Sequence, residues 1–472
     1  MSRSSSSVAD LATGPLRRLL FRYSWPALAA MSLNALYAVV DRLYIGQGCG
    51  ADAMAGLQLA MPAMTLFAAF GVFIGVGHAS VLSIRLGAGD AAACEKIVGQ
   101  LVALKLIFFL VLTPLVYVNI DTVLSCCGGA GVSAEAFEAG RSYLRTVVFS
   151  HIFSHLAFGL SALQRAEGGA IRAMLSMFVG FGANLVLDPV FIFGLGMGVS
   201  GAAWATNVAM ALSFLWAAKY YLLGETVVAF RWRRVGIYRE FLGRALAIGF
   251  APFLQTLLGA LIGMSLAAAF AKWAATPADA TRQLASLGVY NVMMVLTIMP
   301  IMGTQQGLQP ILGYNWGARN FRRVRDTLRL GYWVTAALCA AAFVAQVVPP
   351  FPRFFAGLFV SADDPSLVGL AAHDLAVANC MIWTIFVNVV ATTDFQSIGH
   401  PRVAIALSTL RQGVILLPCI WLLPHFMEDH ALAVWLALPV SDVLCQLATL
   451  PPLALHFRFL SRAGMRRRGG AT

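Results

Sequence analysis

The chain has 472 residues, of which 59% are hydrophobic and only 11% charged, with a mean hydropathy of +0.78. A soluble globular domain carries about 45–50% apolar and about 25% charged residues, so these figures exclude a soluble enzyme, a disordered chain and a fibrous one. The net charge of +12 sits in short loops between apolar blocks, where basic residues orient a chain in a bilayer, so it does not point to nucleic acid.

Arg17 and Arg18 precede an apolar run from about Leu19 to Ile45. That run is too long for a signal-peptide core of about 7–15 residues and reads as the first spanning helix. The Ser-rich leader reads as a disordered cytoplasmic tail over 1–15. Apolar windows of about 20 residues predict further spans near 57–80, 97–118, 142–163, 171–194, 200–222, 246–270, 285–312, 330–350, 372–396, 403–424 and 432–456. With the first, that makes twelve transmembrane helices in an all-α polytopic fold. The alternation of a membrane barrel is absent. Lys and Arg gather around 17–22, 85–96, 165–172, 231–244, 319–329 and 458–468, whereas Asp52, Asp121, Glu135, Glu428 and Asp429 mark the opposite loops. The excess of positive charge places both termini in the cytoplasm and the chain in the inner membrane.

The longest basic loop lies near mid-chain and divides two related halves. At a constant offset of 230 residues, Ala55 and Leu57 meet Ala285 and Leu287, Gly77 meets Gly307, and Gly87-Ala88 meets Gly317-Ala318. Trp204 and Trp435 occupy matching places further on. The reading is a parallel repeat of two six-helix lobes. The first covers 16–225 and the second 246–457; a cytoplasmic linker covers 226–245 and a basic cytoplasmic tail 458–472. A substrate would sit between such halves.

Ionisable residues inside spans are the informative ones, because an Asp at mid-helix costs about 2.5–3.5 kcal/mol. Asp41, Asp188 and Asp442 lie within spans; Asp374, Asp394 and Glu167 lie near span ends. Asp41 is about a turn from the outer end of the first span, Asp188 near that of the fifth, and Thr206 near the outer start of the sixth. Asn184 is at i−4 from Asp188 and shares its face. These four predict a small polar pocket suited to a proton or a hard cation. In the second half Asp41 maps to about Ala267 and Asp188 to about Pro418, so the pocket is not needed to build a six-helix unit.

Asp442 is alone in its half at its depth, and either attracts a cation from a cavity or bonds a neighbouring helix. Gln255 and Met293 are further candidate substrate contacts. His151 and His155 have metal-ligand spacing, but no third ligand is evident, and bonding between helices is expected instead. Pro26 marks a possible hinge in the first span. No Walker A, His-Glu-x-x-His or Gly-x-Ser-x-Gly sequence occurs, which leaves ATP drive and enzymatic chemistry without support.

The strings VVDRLYIG (39–46), SIRLGAGD (83–90), QRAEG (164–168), NLVLDPVFIFGLGMGVSGAAWAT (184–206), QGLQPILGYNWGA (306–318) and FQSIG (395–399) resemble the multidrug and toxic compound extrusion (MATE) family. The resemblance runs from about Pro15 to Leu455, closer to the branch containing MepA than to the NorM branch. It implies secondary active efflux of small cationic or amphiphilic organic compounds against protons or sodium, with no cofactor beyond that coupling ion. It also implies that Asp41, Asn184, Asp188 and Thr206 form the coupling site. The second-lobe Glu and Asp used by NorM-type members are missing: Gln255 stands on the seventh span, and the tenth has only Asp394 near its end. A lipid-linked sugar flippase of the same architecture is the alternative.

Overall fold

The computed structural model describes residues 10–127, 132–223, 226–359 and 365–469. Among them there is no strand. The first helix, α1 (Leu16–Gly87), is broken at Gly50, whose φ of 83° and ψ of −173° suit glycine. Then follow α2 (Ala91–Val118), the short α3 (Ile120–Cys126), α4 (Ala134–Val147), α5 (Ser150–Ala166), α6 (Ala170–Pro189) and α7 (Gly198–Leu222). The remaining long helices are α8 (Arg239–Trp273), α9 (Pro277–Gly317) and α10 (Phe321–Val347). They are followed by α11 (Phe351–Phe359), α12 (Pro365–Asn379), α13 (Phe386–Ser397), α14 (Pro401–Thr409), α15 (Leu417–Leu422) and α16 (His430–Gly469).

Ten helices among the described residues are long and apolar enough to cross a membrane, or eleven if α4 and α5, which meet at 53°, form one broken span. Several predicted spans are irregular. The tenth is split between α12 and α13 by a 3-10 turn at Ile382–Thr384. The fifth ends in a π turn at Val190–Gly194, directly after Pro189 removes one backbone donor. The eleventh contains a longer π segment, Leu410–Leu416.

Helix starts show why the repeat is legible. The Asp90 carboxylate accepts from the Ala93 N–H at 3.0 Å and caps α2. Asn320, at the same 230-residue offset, accepts from the Arg323 N–H at 3.3 Å and caps α10. Each cap satisfies a backbone donor that the helix leaves unpaired.

The chain forms two compact units, one of 1–253 with 313–319 and one of 254–312 with 320–472. The first unit's core joins α1, α2, α5 and α7 through residues such as Ile74, Leu82, Ile97 and Leu163. Val228, Phe241, Ala245 and Ile248 belong to that same core. The 226–245 segment expected to be a linker is therefore packed into the first unit, because its apolar residues find burial there. The tail expectation for 1–15 is corrected in part. Residues 1–9 lie outside the described residues, but 10–13 form a helical turn with Leu11 fully buried. Asp10 pairs with Arg22 at 2.8 Å. The second unit has its main core around Leu266, Phe270, Tyr290, Ile420 and Trp435.

Candidate functional site

The first limb of α1, the end of α6 and the start of α7 carry a buried polar cluster. Asn184 and Asp188 are one turn apart on α6, and the Asn184 amide donates to Asp188 Oδ1 at 3.2 Å. The same amide donates to Thr206 Oγ1 on α7 at 3.4 Å. Thr206 in turn donates to the Ala202 carbonyl at 3.1 Å, and Tyr37 from α1 lies close to it. Asp41, one turn on from Tyr37, lies near enough to Asp188 for the two carboxyls to act on each other. Asn184 and Asp188 are fully buried, and Asp41 and Thr206 nearly so.

Two neighbouring buried carboxyls can share a single proton, one as donor and the other as acceptor. Asp41 Oδ1, Asp188 Oδ2 and Asn184 Oδ1 are buried without a donor among the described residues. The cluster is rich in acceptors and poor in donors, which suits a proton or a small hard cation. No group of three or more His, Cys, Asp or Glu side chains able to hold a metal occurs among the described residues.

A cavity of about 450 Å³ lies beside this cluster inside the first unit. Tyr37 is part of its wall and stacks on Phe181 with ring centroids 5.5 Å apart. Met61, Met64, Met177 and Met210 supply soft, adaptable surface. His151 and His155 line it as well, and Phe67 stacks on His151 at 3.9 Å.

The other sequence candidates lie elsewhere. Asp442 is not alone: its Oδ1 accepts from Arg411 Nε at 2.6 Å, and both side chains are largely buried. The Arg411 guanidinium neutralises it from the π segment, so of its two readings from sequence the bond to a neighbouring helix is the one the structure contains. Met293 is 3% exposed and belongs to the core with Leu266 and Trp435, so its expected role in binding substrate gives way to apolar burial. Gln255 is exposed on α8. Asp394 pairs with His456 at 3.1 Å, and Asp374 accepts from Ser286 at 2.7 Å. Pro26 lies within the first limb of α1.

Glu167 occupies the turn between α5 and α6, outside the spans. It is almost wholly buried and accepts from Tyr221 at 2.9 Å, Tyr220 at 3.4 Å and the Val227 N–H at 3.3 Å. Burial pushes its carboxyl up to about 7 against the opposing pull of those hydrogen bonds.

Sequence reasoning missed Tyr37, Lys105 and Arg411. Lys105 and Arg411 were findable, since a basic residue within a span costs as much as an acidic one. Tyr37 carries no such signal, because a tyrosine in a span is ordinary.

A family model described as MatE matches residues 26–190 and 257–422. Multidrug export protein MepA of Staphylococcus aureus (strain N315) is 26% identical over 444 residues, covering 92% of this chain and 93% of that protein. A solved structure of a MATE protein in the bent conformation superposes with a TM-score of 0.88 at 22% identity, covering 97% of this chain and 99% of that one. An outward-facing multidrug resistance MATE transporter of the MOP superfamily gives 0.86 at 24% identity, with 96% and 98% covered.

Proposed function

The chain belongs to the MatE family, and we propose that it is a secondary active antiporter exporting cationic and amphiphilic organic compounds across the inner membrane in exchange for protons. Sodium is the other candidate coupling ion. The single observation that carries this reading is the buried pair of neighbouring carboxyls, Asp41 and Asp188, with Asn184 bonding both Asp188 and Thr206 beside them. Likeness to the MepA export proteins supports the same reading at the level of substrate class. The reading is of twelve crossings in two six-helix lobes with both termini cytoplasmic; the ten long apolar helices and the bent pair support it, with the first limb of α1 as the remaining crossing.

The chemistry is a competition for negative charge. With one proton the carboxyl pair carries a single negative charge; a second proton removes it. An organic cation in the adjoining cavity is favoured by the charged state and released by the protonated one. Protonation also turns Asp41 from an acceptor into a donor, which changes what the first limb of α1 bonds to and allows it to bend at Pro26.

Purified protein in liposomes tests this, with a fluorescent monovalent organic cation and an imposed pH gradient. Asp41→Asn and Asp188→Asn should insert at normal levels and lose pH-driven efflux at least about tenfold, while Asn184→Ala and Thr206→Ala should lose less. Full proton-coupled efflux by both Asp variants would overturn the site.

A further inference from the structure

The segment that follows α7 carries apolar side chains that the fold does not cover. Val228, Phe241 and Ala245 are buried in the first unit's core, and Phe230 packs against it. Between them the chain makes a 3-10 turn at Trp232–Arg234. Trp232 is 73% exposed there, its ring edge-to-face with Phe230 at 5.0 Å, and Ile237 is 50% exposed.

What these side chains face follows from depth. Glu95 and Lys96 mark the polar end of α2, and the apolar run of its span opens at Ile97. The 234–238 backbone lies against α2 just past that point. A Cβ on Gly99 would overlap the Arg234 carbonyl, and the Gln100 amide donates to the Tyr238 carbonyl at 3.2 Å. At 1.5 Å of rise per residue, Gly99 is about 5 Å further along the span than Lys96. The segment is therefore level with the start of the apolar run, where hydrocarbon gives way to headgroups. That depth suits tryptophan, whose ring body is apolar while its N–H stays wet.

The charge at this depth is one-sided. Across 95–96 and 231–240, five basic side chains (Lys96, Arg231, Arg233, Arg234 and Arg239) stand against two acidic ones, Glu95 and Glu240. Glu95 pairs with Arg231 at 2.9 Å and lies 3.9 Å from Arg234, while Glu240 takes Lys96 at 2.8 Å. Arg233 and Arg239 are exposed, and no carboxylate among the described residues lies within 4 Å of either. A free phosphate would answer the arginines but leave Trp232 and Ile237 in water. A zwitterionic lipid would cover the apolar side chains but bring a phosphate already offset by its own ammonium. An anionic phospholipid answers both.

We propose that the turn at 231–239 is an interfacial anchor that binds anionic phospholipid headgroups, with Trp232 and Ile237 set into the headgroup boundary and Arg233 and Arg239 on the phosphates. Because the flanking residues Val228 and Phe241 are packed into the first unit, lipid held here fastens the segment against that unit. The topological reading makes this the inner leaflet; the transported compound and the coupling ion do not enter the inference.

Tryptophan quenching in bilayers tests it on the purified full chain. No transport step is involved and both leaflets hold the same lipid mixture, so failure of efflux or of the topology leaves the result readable. The probes are brominated phosphatidylglycerol and brominated phosphatidylcholine, each diluted to the same fraction in unbrominated phosphatidylcholine. Quenching lost in Trp232→Phe isolates that residue from the other tryptophans. Trp232 should be quenched by both lipids and more strongly by phosphatidylglycerol, and the ratio gives the preference. Two basic residues near a charged surface support a preference of up to about thirtyfold. Arg233→Gln combined with Arg239→Gln should lower it at least about fivefold, and added salt should weaken it in the unaltered protein. All three substituted side chains are exposed, so the variants keep the core of the fold. No Trp232-dependent quenching by either lipid would put the ring in water and overturn the proposal. Equal quenching by the two lipids, or a preference unchanged in the double variant, would overturn it as well. Suppression of the preference by soluble glycerol 3-phosphate would assign the arginines to a free phosphate and do the same.

Discussion

At the scale of single residues, burial makes titratable groups conditional. Glu167 has a carboxyl raised from 4.5 to about 7 by desolvation. The folded state then binds its proton more tightly than the unfolded state does. The stability this contributes is fully present below about pH 4.5 and is lost as pH rises through about 7. Thermal melts should fall by a few degrees across that window, at about 2–4 °C per kcal/mol. Glu167→Gln should flatten the dependence; a slope unchanged in that variant would show that another group is responsible. Asp442 gives a different expectation. Removing one member of a buried ion pair costs about 3–5 kcal/mol, because the partner's charge stays behind. Asp442→Asn should therefore lower the melting temperature for substrate-free protein, and the double variant with Arg411→Met should recover most of the loss. A normal melt for Asp442→Asn, with weaker binding of cations alone, would favour the other role read from sequence, attraction of a cation.

At the scale of elements, small residues set how closely helices approach. Gly87 and Gly317, matched at the repeat offset, meet across one crossing within the first unit. A Cβ on Gly87 would overlap the Tyr314 carbonyl, and one on Gly317 the Ile84 carbonyl. Nearby, Gly77 faces the Ala245 carbonyl and Gly249 that of Phe73. Gly87→Ala should cost about 1–3 kcal/mol, since backbone on the facing helix has to move. Gly182→Ala is the control. Nothing lies within 4 Å of its Cβ position on α6, so the gain in helix propensity should leave it neutral or up to about 1 kcal/mol stabilising. Equal melting temperatures for the two variants would contradict the close-approach account.

At the scale of the whole molecule, the antiporter reading fixes topology and energetics. A cysteine at position 234, in a background lacking the native cysteines, should resist an impermeant reagent in intact cells and react once the membrane is opened. Labelling in intact cells would reverse the orientation. If one proton is exchanged for one monovalent cation, no net charge moves, and only the pH gradient drives export, about tenfold per pH unit. Voltage-clamped liposomes should show no acceleration with membrane potential; a strong one would exclude one-for-one exchange, because each uncompensated charge adds about 2.3 kcal/mol per 100 mV.

Composition alone determined that the chain is membrane-embedded and helical, because water-free hydrocarbon leaves few ways to satisfy a backbone. The repeat was readable because glycines and caps are dictated locally, as at Gly87, Gly317, Asp90 and Asn320. Asp41, Asn184, Asp188 and Thr206 were readable as a group because a polar residue in a span is costly, and helical rise converts position into depth. Tertiary structure decided what those rules do not reach. Depth and spacing say nothing about azimuth, so they could not show that Arg411 covers Asp442, that Met293 turns into a core, or that Tyr37 joins the polar cluster to a cavity. Nor does a basic loop announce where its apolar residues go: Val228, Phe241 and Ala245 carry the expected linker into the first unit because burial there outweighs freedom in water.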